Sequence, residues 1–141
     1  MALLLGCLLV HAVMVQLIPW PWWVPDLTLV GLVLAVVRSP RRWLVLSGIA
    51  GLWTVLWAVR FHVPLLVGYL AVGWTAQALG RRWDAADAKV QLVLLGWAAA
   101  FMTFGSLWLH DLWSLPLAGL ASAHVAMTCA ALPLVRRIAL R

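Results

Sequence analysis

Long apolar runs recur along the whole chain and are interrupted only by short segments that contain proline, tryptophan or charge. The interiors of these runs hold no Asp, Glu, Lys or Arg. Only 10% of the 141 residues are charged, whereas a typical soluble domain carries about 25%. Runs of this length with a mean hydropathy of +1.04 are typical of bilayer-spanning segments. The sequence therefore predicts an integral membrane protein.

The interruptions divide the chain into six predicted transmembrane helices within one domain, residues 1–141. At about 1.5 Å per residue, the longer helices cross a hydrocarbon core about 30 Å thick, whereas the second is short. The predicted helices cover about residues 2–18, 24–37, 42–59, 64–79, 88–109 and 114–135. We therefore expect a compact all-α bundle.

The basic residues are distributed unequally between the two sides that six spans create. One side carries nine of the ten: Arg38, Arg41, Arg42, Arg81, Arg82, Lys89, Arg136, Arg137 and Arg141. The other carries only Arg60. Because cytoplasmic loops are enriched in Lys and Arg, the sequence predicts that both termini are cytoplasmic. An odd number of spans would destroy this asymmetry.

The sequence PWPWWVP, residues 19–25, forms the first predicted extracytoplasmic turn. Its prolines end the first helix and prevent helical continuation. Tryptophan is favoured at headgroup depth, so Trp20, Trp22 and Trp23 fit an aromatic belt. Trp57, Trp108 and Trp113 are predicted on the same side. Because tryptophan is also a common interface anchor, a partner-binding surface is the second interpretation.

Two aspartates accompany these tryptophans. Asp26 begins the second helix, where its carboxylate can cap free backbone N–H groups and face the positive end of the helix dipole. Contact with a ligand or partner remains an alternative role. Asp111 lies in the last predicted extracytoplasmic turn. The candidate partner-binding residues are Trp20, Trp22, Trp23, Asp26, Trp108, Asp111 and Trp113.

His11 and His124 are predicted near the middle of the first and last helices. Two such imidazoles could ligate a haem iron from both sides. Histidines in membrane bundles also form hydrogen bonds between helices, and this interpretation is favoured. Cys7 and Cys129 both lie in apolar runs and indicate no disulfide framework. We therefore expect no metal and no cofactor.

The sequence also disfavours several classes of function. It contains no Ser-His-Asp pattern, HExxH motif or glycine-rich phosphate loop, so an enzyme is not expected. Ion-coupled transporters usually place ionisable side chains within their spans, and such residues are missing here. A nucleic-acid site needs a basic face on a soluble surface. The clustered arginines instead fit topology signals and contacts with anionic lipids.

Several short motifs resemble a known family. They are PDLTL at residues 25–29, RSPRR at 38–42, GIAGL at 48–52, GYL at 68–70 and the arginine pair at 81–82. Over about residues 8–135, the chain resembles MreD, the rod shape-determining membrane protein family. It departs from that pattern at residues 58–65, AVRFHVPL, where many members have an acidic residue and a Pro-Leu-Gly step.

The resemblance implies a non-enzymatic scaffold in the bacterial inner membrane that serves cell elongation and peptidoglycan synthesis. The implied partners are a single-span MreC-like protein and, in the wider assembly, RodA, a class B penicillin-binding protein and MreB. It also implies a bundle similar to the substrate-binding subunits of energy-coupling-factor transporters. The alternative function is therefore a small-molecule-binding membrane subunit of a vitamin-type transporter. The sequence alone reveals no cluster of polar side chains that would form such a substrate site.

Overall fold

The computed structural model describes residues 1–58, 60–84 and 87–139 of the chain. Within these ranges, the protein forms an all-helical bundle of six α-helices, as predicted. The helices are α1 (Ala2–Leu17), α2 (Leu27–Arg38), α3 (Trp43–Trp57), α4 (His62–Gly80), α5 (Ala88–Leu109) and α6 (Leu115–Ala139). Among the described residues, three helices, α4, α5 and α6, are long and apolar enough to cross a membrane. These helices indicate a membrane protein.

Two helix boundaries differ from those predicted by more than two residues. The predicted second helix begins at residue 24, whereas α2 begins at Leu27, because Pro25 disfavours helical geometry before it and Asp26 provides the cap. The predicted sixth helix ends at residue 135, but α6 continues through Arg136 and Arg137. Cationic side chains in a last turn are favourable because they face the negative end of the helix dipole. Val59 and Arg141, which the sequence assigned to helix 3 and the basic tail, lie outside the described residues.

Helix α2 forms the centre of the bundle. Its residues 27–36 are all buried, and it contacts each of the other five helices. A helix that is apolar on every side is stable only when its whole circumference is covered. At about 1.5 Å per residue, its 12 residues extend about 18 Å. The surrounding helices are longer, so they enclose space beyond the first residue of α2.

Small residues allow the helices around this centre to pack closely. Gly73 of α4 lies directly against Ser47 of α3, and this helix pair has the most extensive contact in the bundle. Gly31 of α2 packs against Cys7 of α1, where an added Cβ would lie 2.7 Å from the Cys7 Cβ. Without side chains at these glycines, the helix backbones approach more closely than larger residues would allow.

Short connections make consecutive helices antiparallel. As a result, most exposed tryptophans lie at one end of the bundle, the aromatic end, and most basic residues at the other, the basic end. At the aromatic end, α1, α3 and α5 finish and α2, α4 and α6 begin. At the basic end, α2, α4 and α6 finish. The described basic residues at or near the basic end are Arg38, Arg41, Arg42, Arg81, Arg82, Lys89, Arg136 and Arg137. Arg60 belongs to the aromatic end, between α3 and α4.

Candidate functional site

The connection between α1 and α2, residues 18–26, is here named the tryptophan turn. It contains a short 3₁₀ segment, Pro21–Trp23, which contacts α6. Val24 is fully buried and Trp22 is partly buried, and the Trp22 indole meets the His124 ring edge-on at a centroid distance of 6.2 Å. Trp20 and Trp23 are 67% and 59% exposed. The turn therefore presents two tryptophans outward and directs one inward.

Two histidines, one on α1 and one on α6, contact the backbone of this turn. Nδ1 of His11 lies 3.2 Å from the carbonyl oxygen of Pro25, and Nδ1 of His124 lies 3.3 Å from that of Trp22. Because a carbonyl oxygen only accepts hydrogen bonds, each Nδ1 is the donor in its contact. The favoured sequence interpretation expected bonds between helices. Instead, both rings bond to the backbone of the tryptophan turn.

The histidine contacts also show how far the turn enters the bundle. His11 precedes the last residue of α1 by six positions, which is about 9 Å along the helix. His124 follows the first residue of α6 by nine positions, or about 13 Å. The turn therefore folds back between the helices and occupies part of the space beyond the short α2.

Asp26 fixes the end of the turn and the beginning of α2. Its Oδ1 accepts a hydrogen bond from the backbone N–H of Leu29 at 3.1 Å, which confirms the predicted N-cap. Its own backbone N–H donates to Oγ1 of Thr128 on α6 at 3.0 Å. Asp26 is half-buried and faces the interior of the aromatic end. The cap therefore joins α2 to α6.

The last turn of α5 and the α5–α6 connection supply the other predicted partner-binding residues. Trp108 and Trp113 are 73% and 62% exposed, and Asp111 is also exposed. Asp111 adopts a left-handed backbone with φ 53°, a conformation that aspartate tolerates better than most residues. Phe104 meets Trp113 edge-on at 6.0 Å. The aromatic rim is defined as the exposed members of the predicted set: Trp20, Trp23, Trp108, Asp111 and Trp113.

Two cavities open beside the tryptophan turn and share a wall made by Asp26, Thr54 and Tyr69. The first cavity has a volume of about 240 Å³. The rest of its lining is His11, Ala12, Val15, Gln16, Thr28, Trp53 and Trp57. The second has a volume of about 340 Å³. The rest of its lining is Trp22, Leu65, Met102, Thr103, Ser106 and His124.

These cavities gather polar groups that are far apart in sequence. Thr28, Thr54 and Tyr69 belong to three different helices, and His11 and His124 to two more. The sequence analysis found no such cluster because each helix contributes only one or two polar residues. Tyr69 is the residue from which a buried polar cluster could have been predicted. It is the only tyrosine, and a tyrosine within an apolar helix usually requires a partner for its hydroxyl.

The structure divides the seven predicted partner-binding residues into two groups. Five form the exposed aromatic rim, whereas Trp22 and Asp26 line the second cavity. Among the described residues, no group of three or more His, Cys, Asp or Glu side chains could hold a metal ion. The aromatic end therefore has an exposed aromatic surface and cavities beside it.

Comparison of the chain with family models, curated proteins and solved structures finds no match.

Proposed function

We propose that this protein is a non-enzymatic scaffold of the bacterial cell-elongation machinery, acting in the inner membrane beside the enzymes of peptidoglycan synthesis. The proposal rests on the MreD-like motifs and on the aromatic rim. The aromatic rim is its main structural support. The four exposed tryptophans of the rim, with Trp57 also exposed at the same end, form a distinctive surface, and tryptophan is a favoured anchor at interfaces.

The proposed topology has six membrane spans with both termini in the cytoplasm. All the basic residues near helix ends, apart from Arg60, belong to the basic end in the described part of the chain. The positive-inside rule assigns that end to the cytoplasm and the aromatic rim to the outer face. The central α2 does not need to match the bilayer thickness, because protein surrounds it rather than lipid.

The proposed partner is a single-span, MreC-like protein whose helix and first extracytoplasmic residues dock against the aromatic rim. Lipid tails are as apolar as leucine, so hydrophobicity alone does not select one helix within a bilayer. Selection requires polar or aromatic contacts at the interface, and the rim combines indole rings with the Asp111 carboxylate. RodA, a class B penicillin-binding protein and MreB are proposed members of the wider assembly.

Rim variants test this function by co-purification. We expect Trp23→Ala and Trp113→Ala each to weaken recovery of a tagged MreC-like partner, because truncating a buried aromatic anchor costs about 2 kcal/mol, or roughly thirtyfold in affinity. Trp83→Ala is the matched control, since Trp83 is exposed near the basic end. Variants that reach normal membrane levels and still recover the partner as well as the wild type does would refute docking at the rim.

The two cavities favour a second candidate, a small-molecule-binding membrane subunit like those of vitamin-type transporters. The specific observation is the cluster of Asp26, Thr54 and Tyr69 shared by both cavities. Ligand sites are typically apolar spaces with a few converging polar groups. Retained ligand binding in variants that do not bind the partner would separate the two functions.

A further inference from the structure

The first cavity has room for a small organic molecule. Its volume is about 240 Å³, whereas a protein cavity of about 150 Å³ already holds benzene. Gln16 and Trp57, which line it, lie at the last turns of α1 and α3. Asp26 and Thr28 lie at the beginning of the central helix. The cavity therefore extends from the aromatic end down to the first turn of α2.

Asp26 gives the lining of this cavity a formal negative charge. Asp26 is the one acidic residue that lines it, and no Lys or Arg of the described chain lines either cavity. Oδ1 of Asp26 accepts from Leu29, whereas Oδ2 accepts no hydrogen bond from the described residues. The positive end of α2 offsets about half of the carboxylate charge. The remaining negative potential favours a cation over an anion.

Aromatic rings also line this cavity. Trp53 and Trp57 are neighbours on α3, with ring centroids 6.1 Å apart, and Tyr69 is contributed by α4. Faces of tryptophan and tyrosine attract organic cations through the ring quadrupole. A hard metal ion instead needs about six oxygen ligands, and this cavity contains one carboxylate with a few neutral groups. The lining therefore fits an organic cation better than an inorganic one.

We propose that the first cavity binds a small organic ammonium group, with Asp26 as the counter-ion and Trp53, Trp57 and Tyr69 as the aromatic wall. The ammonium can belong to a free solute or to the headgroup of a lipid such as phosphatidylethanolamine. This inference goes beyond the scaffold role and specifies a ligand class for the small-molecule alternative. It depends on the cavity alone and does not require docking at the aromatic rim.

Radiolabelled choline tests the proposal with protein in nanodiscs of phosphatidylglycerol. We expect saturable binding by the wild type and roughly a tenfold or greater loss of affinity in Asp26→Asn, because hydrogen bonds and ion pairs to a charged group are stronger than those to a neutral one. Asparagine caps helices about as well as aspartate does, so the variant retains the α2 cap. Asp111→Asn is the matched control at the same end of the bundle and should bind choline like the wild type.

Two further measurements keep the test decisive if Asp26→Asn folds poorly. The wild type should bind 3,3-dimethylbutanol, the neutral analogue of choline, at least about tenfold more weakly, because that analogue lacks the charge. Trp57→Leu should weaken choline binding severalfold by removing part of the aromatic wall. Absence of saturable choline binding, equal binding of the neutral analogue, or unchanged binding by a folded Asp26→Asn would each overturn the proposal.

The lipid composition of the nanodiscs identifies the source of the ammonium group. If a lipid headgroup occupies the cavity, phosphatidylethanolamine will compete with choline and raise its apparent Kd relative to phosphatidylglycerol. If the ligand is a free solute, both lipids will give the same choline affinity. Either result supports an ammonium site. Trp23→Ala and Trp113→Ala should retain choline binding, so failure of this proposal and failure of partner docking are distinguishable.

Discussion

Gly73→Ala is expected to destabilise the bundle by about 3 kcal/mol or more, at the upper end of the range for overpacked cores. An added Cβ would overlap the Ser47 hydroxyl and would lie 2.9 Å from the Ser47 Cβ. Both residues are fully buried in the α3–α4 contact, so relief requires the two helices to separate. The measurement is the free energy of unfolding in detergent, followed by circular dichroism during titration with sodium dodecyl sulfate.

Two variants establish that the effect arises from this single contact. Gly48→Ala is the matched control in the same helix pair, because a Cβ there meets nothing within 4 Å. It should be neutral or slightly stabilising, since alanine is the better helix former. Adding Ser47→Gly to Gly73→Ala removes the opposing side chain and should restore most of the stability. Wild-type stability in Gly73→Ala would show that α3 and α4 do not pack at this position.

The double variant His11→Ala/His124→Ala is expected to release the tryptophan turn. It leaves the carbonyl oxygens of Pro25 and Trp22 without their histidine donors. The Trp22 oxygen is then unsatisfied, which costs about 1–2 kcal/mol, whereas the Pro25 oxygen keeps its hydrogen bond from the Leu27 N–H at 2.8 Å and loses one bond worth about 1 kcal/mol. We therefore expect a loss of about 2–3 kcal/mol in the free energy of unfolding. The amides of the first turn of α2 should also exchange hydrogen faster, because the turn supports that end.

His62 and His110 provide the matched control for this prediction. Each is exposed at the aromatic end, and its hydrogen bond within the described part of the chain is to a carbonyl four residues earlier, His62 to Ala58 and His110 to Ser106. The double variant His62→Ala/His110→Ala should therefore change stability by less than about 1 kcal/mol and leave exchange in α2 unaltered. Equal effects of the two double variants would mean that His11 and His124 do not hold the turn.

Helix number and most helix boundaries follow from the sequence because apolar periodicity and breaking residues are local signals. The predicted fifth helix, residues 88–109, coincides with α5, since Asp87 caps its first turn and His110 ends it. The same logic identified Asp26 as the cap of α2. These features depend on a few residues that are adjacent in the chain, so a single sequence is enough to predict them.

The side-chain arrangement inside the aromatic end could not be predicted from local sequence signals. The sequence interpretation assigned Trp20, Trp22 and Trp23 equally to the surface, yet Trp22 points inward against His124. That difference depends on α6, about a hundred positions away. The cavities likewise combine Asp26, Thr54 and Tyr69 from three elements. Their proximity depends on how the helices pack around α2. Apolar patterning does not specify this packing, because residues 27–36 of α2 are all buried and do not indicate which neighbouring helix each face meets.

Docking of the proposed partner at the aromatic rim requires the aromatic end to face outward. Cysteine labelling in intact cells tests this orientation most directly, after replacement of Cys7 and Cys129 by alanine. Positions 39, 63 and 88 are exposed in the structure. We predict that an impermeant thiol reagent modifies Val63→Cys, at the start of α4, and leaves Ser39→Cys and Ala88→Cys unmodified until the membrane is permeabilised. Labelling of Ser39→Cys in intact cells, with Val63→Cys protected, would contradict the proposed topology.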